Sequence, residues 1–176
     1  MPNDGDRSDS AQFPPPAALL RAFHTPEDPR AGGHRVLDAA GRLARCHLHR
    51  RRAVKAALSP DAPADRVAAC GRAIADIDGT RAGLVAHIDE WVAANIAHRA
   101  GASLHTETLG AVIDRMAEKW VAAQHALGGD QDTQTTTPLQ WEARTHLQWC
   151  RLAELTDGYR DLVTDVVEQR RRLPVW

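Results

Sequence analysis

Residues 67–92 read VAACGRAIADIDGTRAGLVAHIDEWV. Within them Val67, Cys70, Ile74, Ile77, Arg81, Leu84, Ile88 and Trp91 recur at alternating steps of three and four. That spacing keeps one face of a helix apolar for its whole length, so the segment predicts a long helix packed lengthwise on other helices. It follows Pro63 and is expected to continue to about Ala97. One seam position is charged: Arg81 sits in the middle of the stripe, close on the helical wheel to Ile74, Ile88 and Val92. Burying an unpaired guanidinium costs several kcal/mol, so a carboxylate must meet it. Asp78, three residues earlier, is one candidate, and Asp114 or Glu107 from elsewhere in the chain are the others. Such a pair either sets helix register or belongs to a ligand site.

Three more helices extend outward from this one. An earlier helix is expected over about His34 to Leu58, stopped by Ser59-Pro60, with the stripe Val36, Ala40, Leu43, His47, Arg50, Val54. Between 35 and 55 it carries seven Arg or Lys against one Asp, which reads as a solvated face or one turned toward acids on a neighbour. A later helix opens at Leu104-His105-Thr106-Glu107-Thr108-Leu109-Gly110 and is expected to end at Gly128-Gly129. Thr106 or Thr108 can cap it, and Glu107 suits the positive end of its dipole. Leu109, Val112, Ile113, Met116, Trp120, Ala123 and Leu127 form its apolar face. The opposite face, Gly110, Ala111, Asp114, Ala117, Glu118, Val121 and His125, is too small and apolar to be plainly solvated. This helix is therefore expected to be covered on two sides, with Asp114 at an interface. The last helix starts at Thr137-Pro138 and is expected to reach about Arg172, with Trp141, Thr145, Gln148 or Trp149, Leu152, Leu155, Tyr159, Leu162 and Val166 inward and Glu154, Asp157, Asp161, Asp165 and Glu168 outward.

No strand-like alternation or hairpin signal is present. The predicted fold is all-α, an up-down bundle of four long helices over residues 33–176. Residues 1–32 hold six prolines and few large apolar groups, so they are expected to form a disordered or loosely docked arm, in which Ala17 to His24 can make a helical turn or two that lie against the body.

Composition narrows the function classes. A net charge of −1 gives no global field to draw nucleic acid or an anionic membrane, and no apolar run approaches spanning length. Cys46, Cys70 and Cys150 are odd in number and far apart, as expected of free thiols in a reducing cytoplasm. Their spacing makes no C-x-x-C pair, and no two helices carry Glu-x-x-His, so neither metal nor cofactor is expected. Phosphate-loop, dinucleotide and nucleophile-elbow motifs are missing as well.

The stretch His105 to Arg115 resembles a bacterial family known as domain of unknown function 4254, whose mark is H-T-E-T-x-G-x-V-I-D-R. The 67–92 helix is similar to a second pattern of that family, I-x-x-L-N-x-x-R…I-D, with Ile74, Ile77, Arg81, Ile88 and Asp89 in place and Asp78 where the family has Asn. The first helix departs from it. Where the family reads W-H-x-E-D, this chain has Cys46-His47-Leu48-His49-Arg50, which keeps the histidine and loses both acids. The resemblance covers roughly residues 35–170 and implies a helical fold without naming a reaction.

His47, Arg81, His105, Glu107, Asp114 and Arg115 come from three segments that a bundle can bring to one end. Histidine and carboxylates there can move protons, and arginines can hold an anion. The expectation is a cytoplasmic enzyme for a small anionic molecule, using cofactor-free acid–base chemistry for an elimination, isomerisation or cyclisation, in bacterial specialised metabolism. His105, Glu107 and Asp114 would be catalytic, with Arg81, Arg115, Thr106, Thr108 and His47 binding the substrate at the mouth of the Leu109 helix. The alternative is a non-catalytic helical module that binds a partner protein or forms a homodimer through a helix face.

Overall fold

The computed structural model describes residues 12–25, 34–128 and 138–174, and most of them are helical. Among these residues five helices follow in order: α1 (Pro16–His24), α2 (Arg35–Ala57), α3 (Ala64–Asn95), α4 (Leu109–Leu127) and α5 (Pro138–Val167). Two short strands, β1 (Ser103–Leu104) and β2 (Arg171–Arg172), pair in parallel.

The starts of these helices follow local chemistry. His34 caps α2, its Nδ1 accepting the Val36 N–H at 3.3 Å, and Pro63 precedes α3 in extended backbone. Thr108 caps α4, its Oγ1 accepting the Ala111 N–H at 3.1 Å. Each such cap satisfies one of the N–H groups that a helix start leaves without a partner.

Packing centres on α2, α3 and α4, each of which touches the other two. Leu43 of α2, Ile88 of α3 and Ile113 and Met116 of α4 are fully buried among them. Both apolar stripes of α4 are used: Val112 and Ile113 are buried on one, Gly110, Ala117 and Val121 on the other. Gly110 marks the closest approach of α4 to α3. A Cβ there would lie 2.5 Å from the Val85 carbonyl oxygen and 2.9 Å from Asp89 Oδ1, so only glycine fits without a shift.

The heptad seam of α3 is covered unevenly. Leu84, Ile88, Trp91 and Val92 are buried, whereas Val67 is exposed and Ile74 and Ile77 are half-buried. The reason lies in α5, which among the described residues packs on α4, α1 and β2 but on neither α2 nor α3.

Two expectations are corrected. Residues 12–25 of the arm are neither disordered nor loosely docked: Leu19, Ala22 and Phe23 of α1 lie in the core. The Tyr159 hydroxyl donates to the Pro14 carbonyl at 2.7 Å, and Phe13 meets Trp91 edge-on, so apolar residues that look sparse in sequence are concentrated on one docked turn. The rest of the arm, residues 1–11 and 26–32, lies outside the described residues, as do Gly33, Thr137 and Gly129. The second correction concerns the strand-free reading and the end of the last helix. The helix α5 stops at Val167, five residues short of Arg172. Gln169, at φ 57°, turns the chain so that β2 lies beside β1, with the His105 N–H donating to the Arg172 carbonyl at 2.8 Å. That pairing ties the tail of the domain to the loop that leads into α4.

Candidate functional site

The seam arginine finds its carboxylates. Arg81 donates through Nη2 to Asp114 Oδ2 at 2.6 Å and through Nε to Asp114 Oδ1 at 3.2 Å. Its Nη1 donates to Asp78 Oδ1 at 2.9 Å. His47 of α2 reaches the same Asp114 Oδ1 through Nε2 at 2.7 Å, and Arg50, one turn later, gives its Nε to both oxygens of Asp78 at 3.0 and 3.3 Å. The helical step of three on both α2 and α3 builds this ladder, because residues 47 and 50 and residues 78 and 81 sit one above the other on facing helices. The result is a chain of five groups, His47–Asp114–Arg81–Asp78–Arg50, running from the core outward. Side-chain exposure rises along it from 9% at His47 through 16%, 25% and 38% to 41% at Arg50.

Charge is distributed accordingly. Burial pushes the Asp114 carboxyl up, but hydrogen bonds and charge from His47 and Arg81 outweigh it and hold the group below the ordinary carboxylate range. Asp78 ends below that range too, with a slight desolvation cost outweighed by bonds from Arg81 and Arg50. The hydrogen bonds to Asp114 in turn hold Arg81 firmly protonated. Asp89 behaves differently: burial pushes its carboxyl up despite the Gly110 N–H that donates to Oδ1 at 2.8 Å.

A second cluster stands at the mouth of α4. Arg115 holds Glu107 by two parallel bonds of 2.8 and 2.6 Å. His105 Nδ1 lies 2.8 Å from the Glu107 carbonyl oxygen, to which it donates in the Nδ1–H tautomer. Thr108 serves as the cap, and Thr106 is exposed. Among the described residues no hydrogen bond or ion pair joins this cluster to the ladder, so the eight residues expected to share one site fall into two groups.

A cavity of about 950 Å³ opens between α2 and α4, beside the turn that joins α2 to α3. Its wall includes His47, Arg50, Arg51, Val54 and Lys55 of α2, Leu58 and Pro60 of the turn, Arg66 of α3, and Glu118 and Val121 of α4. The expected position was the mouth of α4, whereas this cavity lies beyond Asp114 toward the other end of that helix. Of the eight expected site residues only His47 lines it. His47, 8% exposed, therefore stands between the ladder and the cavity.

The cations Arg50, Arg51, Lys55 and Arg66 are the residues that the sequence reading did not place at a site. The signal was there in the basic run of the first helix, which reads equally as a solvated face until a cavity is seen beside it. Arg50 and Asp78 also explain each other. One is a cation on the cavity wall and the other a carboxylate on α3, and they pair at 3.0 Å. Among the described residues no three His, Cys, Asp or Glu side chains gather closely enough to hold a metal ion. None of the helices there is long and apolar enough to cross a membrane.

Neither a curated protein nor a solved structure matches the chain. The family model for a protein of unknown function, DUF4254, matches residues 38–175, a span that holds the whole ladder, the α4 mouth and the cavity wall, and the chain belongs to that family.

Proposed function

We propose that the protein is a cofactor-free acid–base enzyme acting on a small anionic molecule, and that His47 is the group that moves the proton. The observation that carries this reading is the 2.7 Å bond from His47 Nε2 to Asp114 beside a cavity rich in arginine. A carboxylate on Nε2 fixes the imidazole tautomer and leaves Nδ1 to exchange a proton with substrate. Arg81 keeps Asp114 ionised, so Asp114 steadies the imidazolium without taking the proton itself. The arginines of the cavity orient the anion. An elimination, isomerisation or cyclisation needs nothing more than such a base, its conjugate acid and a fixed substrate.

In this reading the four long helices α2 to α5 act as an up-down scaffold. Glu107 and Arg115 answer each other and brace the start of α4, and His105 assists them. Three free thiols suit a reducing bacterial cytoplasm and a role in specialised metabolism.

The test is turnover against a panel of carboxylated and phosphorylated small molecules, followed by His47→Gln and Asp114→Asn. Each variant should lower turnover by about 10²-fold or more with helicity unchanged. Folded variants that retain full turnover sink the assignment.

One observation favours a second reading, a non-catalytic module that binds a partner protein or a second copy of itself. Leu58, Val67, Leu127, Leu139, Trp141 and Leu147 are exposed, and all belong to the end where α2 meets α3 and α4 leads to α5. That reading moves ahead if no panel member is turned over while the protein self-associates in light scattering.

A further inference from the structure

We infer that the cavity beside His47 takes an organic phosphate monoester as its dianion, held by Arg51 and Arg66. The inference deepens the anionic-substrate reading above, on which it rests for the location of the ligand.

Some charges on the cavity wall are already answered. Arg50 is paired with Asp78 at 3.0 Å, and Glu118, the carboxylate on the cavity wall, has Lys119 at 3.3 Å. Arg51 on α2 and Arg66 in the first turn of α3 are exposed, and neither forms an ion pair among the described residues. The turn at Leu58 and Pro60 brings the two helix ends to one cavity. The helix half-charges there oppose each other, negative where α2 ends and positive where α3 begins, so the side chains decide the sign. Two guanidiniums are left unbalanced.

A carboxylate would neutralise one of them. A phosphate monoester, with its second pKa at about 6, carries close to two negative charges at neutral pH. Its three oxygens also match the planar donor fork of arginine, which lysine does not offer. The rest of the wall points to an organic body on that phosphate. Val54, Leu58 and Val121 give an apolar lining, and about 950 Å³ is room for a small organic group beyond the phosphate. His47 then faces that body and not the phosphate, as proton transfer at carbon requires.

The experiment titrates the full chain at neutral pH with phenyl phosphate and with benzoate, which share a ring and differ in anionic charge. Binding is followed by calorimetry in the wild type, Arg51→Gln, Arg66→Gln and His47→Gln. Phenyl phosphate should bind about tenfold more tightly than benzoate, and each arginine variant should weaken it by about tenfold. Both arginines are exposed, so their loss should leave the melting temperature in place. Failure to bind phenyl phosphate, equal affinity for benzoate, or binding unchanged in both arginine variants would overturn the inference. His47→Gln keeps an N–H for Asp114 and should retain phenyl phosphate affinity within about twofold, because the phosphate is held by the arginines. The two readings therefore fail separately: lost phosphate selectivity ends the ligand class, and an unaltered turnover in His47→Gln ends the proton-transfer role.

Discussion

Replacing Arg81 with Ala removes the one group that, among the described residues, touches both carboxylates of the ladder. Breaking a fully buried pair costs about 3–5 kcal/mol, much of it the penalty of the charge left behind. Two features lower that figure here. A quarter of the Arg81 side chain is exposed, and each carboxylate keeps one partner, Asp114 with His47 and Asp78 with Arg50. We therefore expect a loss of about 2–3 kcal/mol at neutral pH, or roughly 4–12 °C in Tm for a chain of this size. The loss should depend on pH with a definite sign. Asp114 and Asp78 are depressed in the folded state, so the stability they contribute is fully present above the ordinary carboxylate range and fades as pH falls through their folded values. The gap between wild type and Arg81→Ala should thus be widest near neutrality and narrow below about pH 4. Urea midpoints measured from neutral to acid pH read this directly. A midpoint unchanged by the substitution, or a gap that stays constant into acid, would refute the reasoning.

Two further substitutions test the packing. Gly110→Ala drives a methyl into the Val85 carbonyl oxygen, which is backbone and cannot swing aside, so α4 should separate from α3 at a cost of about 1–3 kcal/mol by thermal or urea unfolding. Phe23→Ala empties a fully buried site on α1 and should cost about 3–5 kcal/mol, whereas an unchanged urea midpoint would return the segment to the status of a loose arm.

The parts of the fold that were legible share one property: they repeat. The α3 seam from Leu84 onward, the two faces of α4 and the inward face of α5 from Thr145 onward follow helical periods, whereas Val67, Leu127 and Trp141, expected on those faces, are exposed; the boundaries at Pro63 and Thr108 are set by neighbouring residues. Arg81 with its carboxylates was legible for the same reason, since a charge inside an apolar stripe demands a partner whatever the tertiary arrangement. What escaped the reading depends on contacts distant in sequence. Phe13, Pro14 and Phe23 look like stray apolar residues in a proline-rich arm until Tyr159 and Trp91 are placed against them. Likewise β2 exists because one left-handed residue, Gln169, redirects the chain, and no local rule selects glutamine for that conformation. The cavity is the clearest case. Its cations belong to a run that periodicity treats as surface, and only the approach of α4 and the α2–α3 turn makes them a wall.

The form of the ladder bears on whether it is a stability device alone. A register-setting pair would be complete with Arg81 and Asp114, whose two parallel bonds already satisfy the guanidinium edge and both carboxylate oxygens. Adding His47 brings a third donor to an acceptor that is not short of them, and removes an imidazole from solvent at a desolvation cost. A leucine at that stripe position would pack against α4 without such a cost. Retaining a titratable ring there is explained if the ring works at the cavity it lines, with Asp114 and Arg81 as the fixed charges behind it. The outer end of the ladder supports the same view. Arg50 and Asp78 answer each other there, so the network stays charge-balanced while its outermost group stands on the cavity wall as a cation. The inner end, where the proposed chemistry lies, sets the His47 ring against Asp114 with Arg81 behind it.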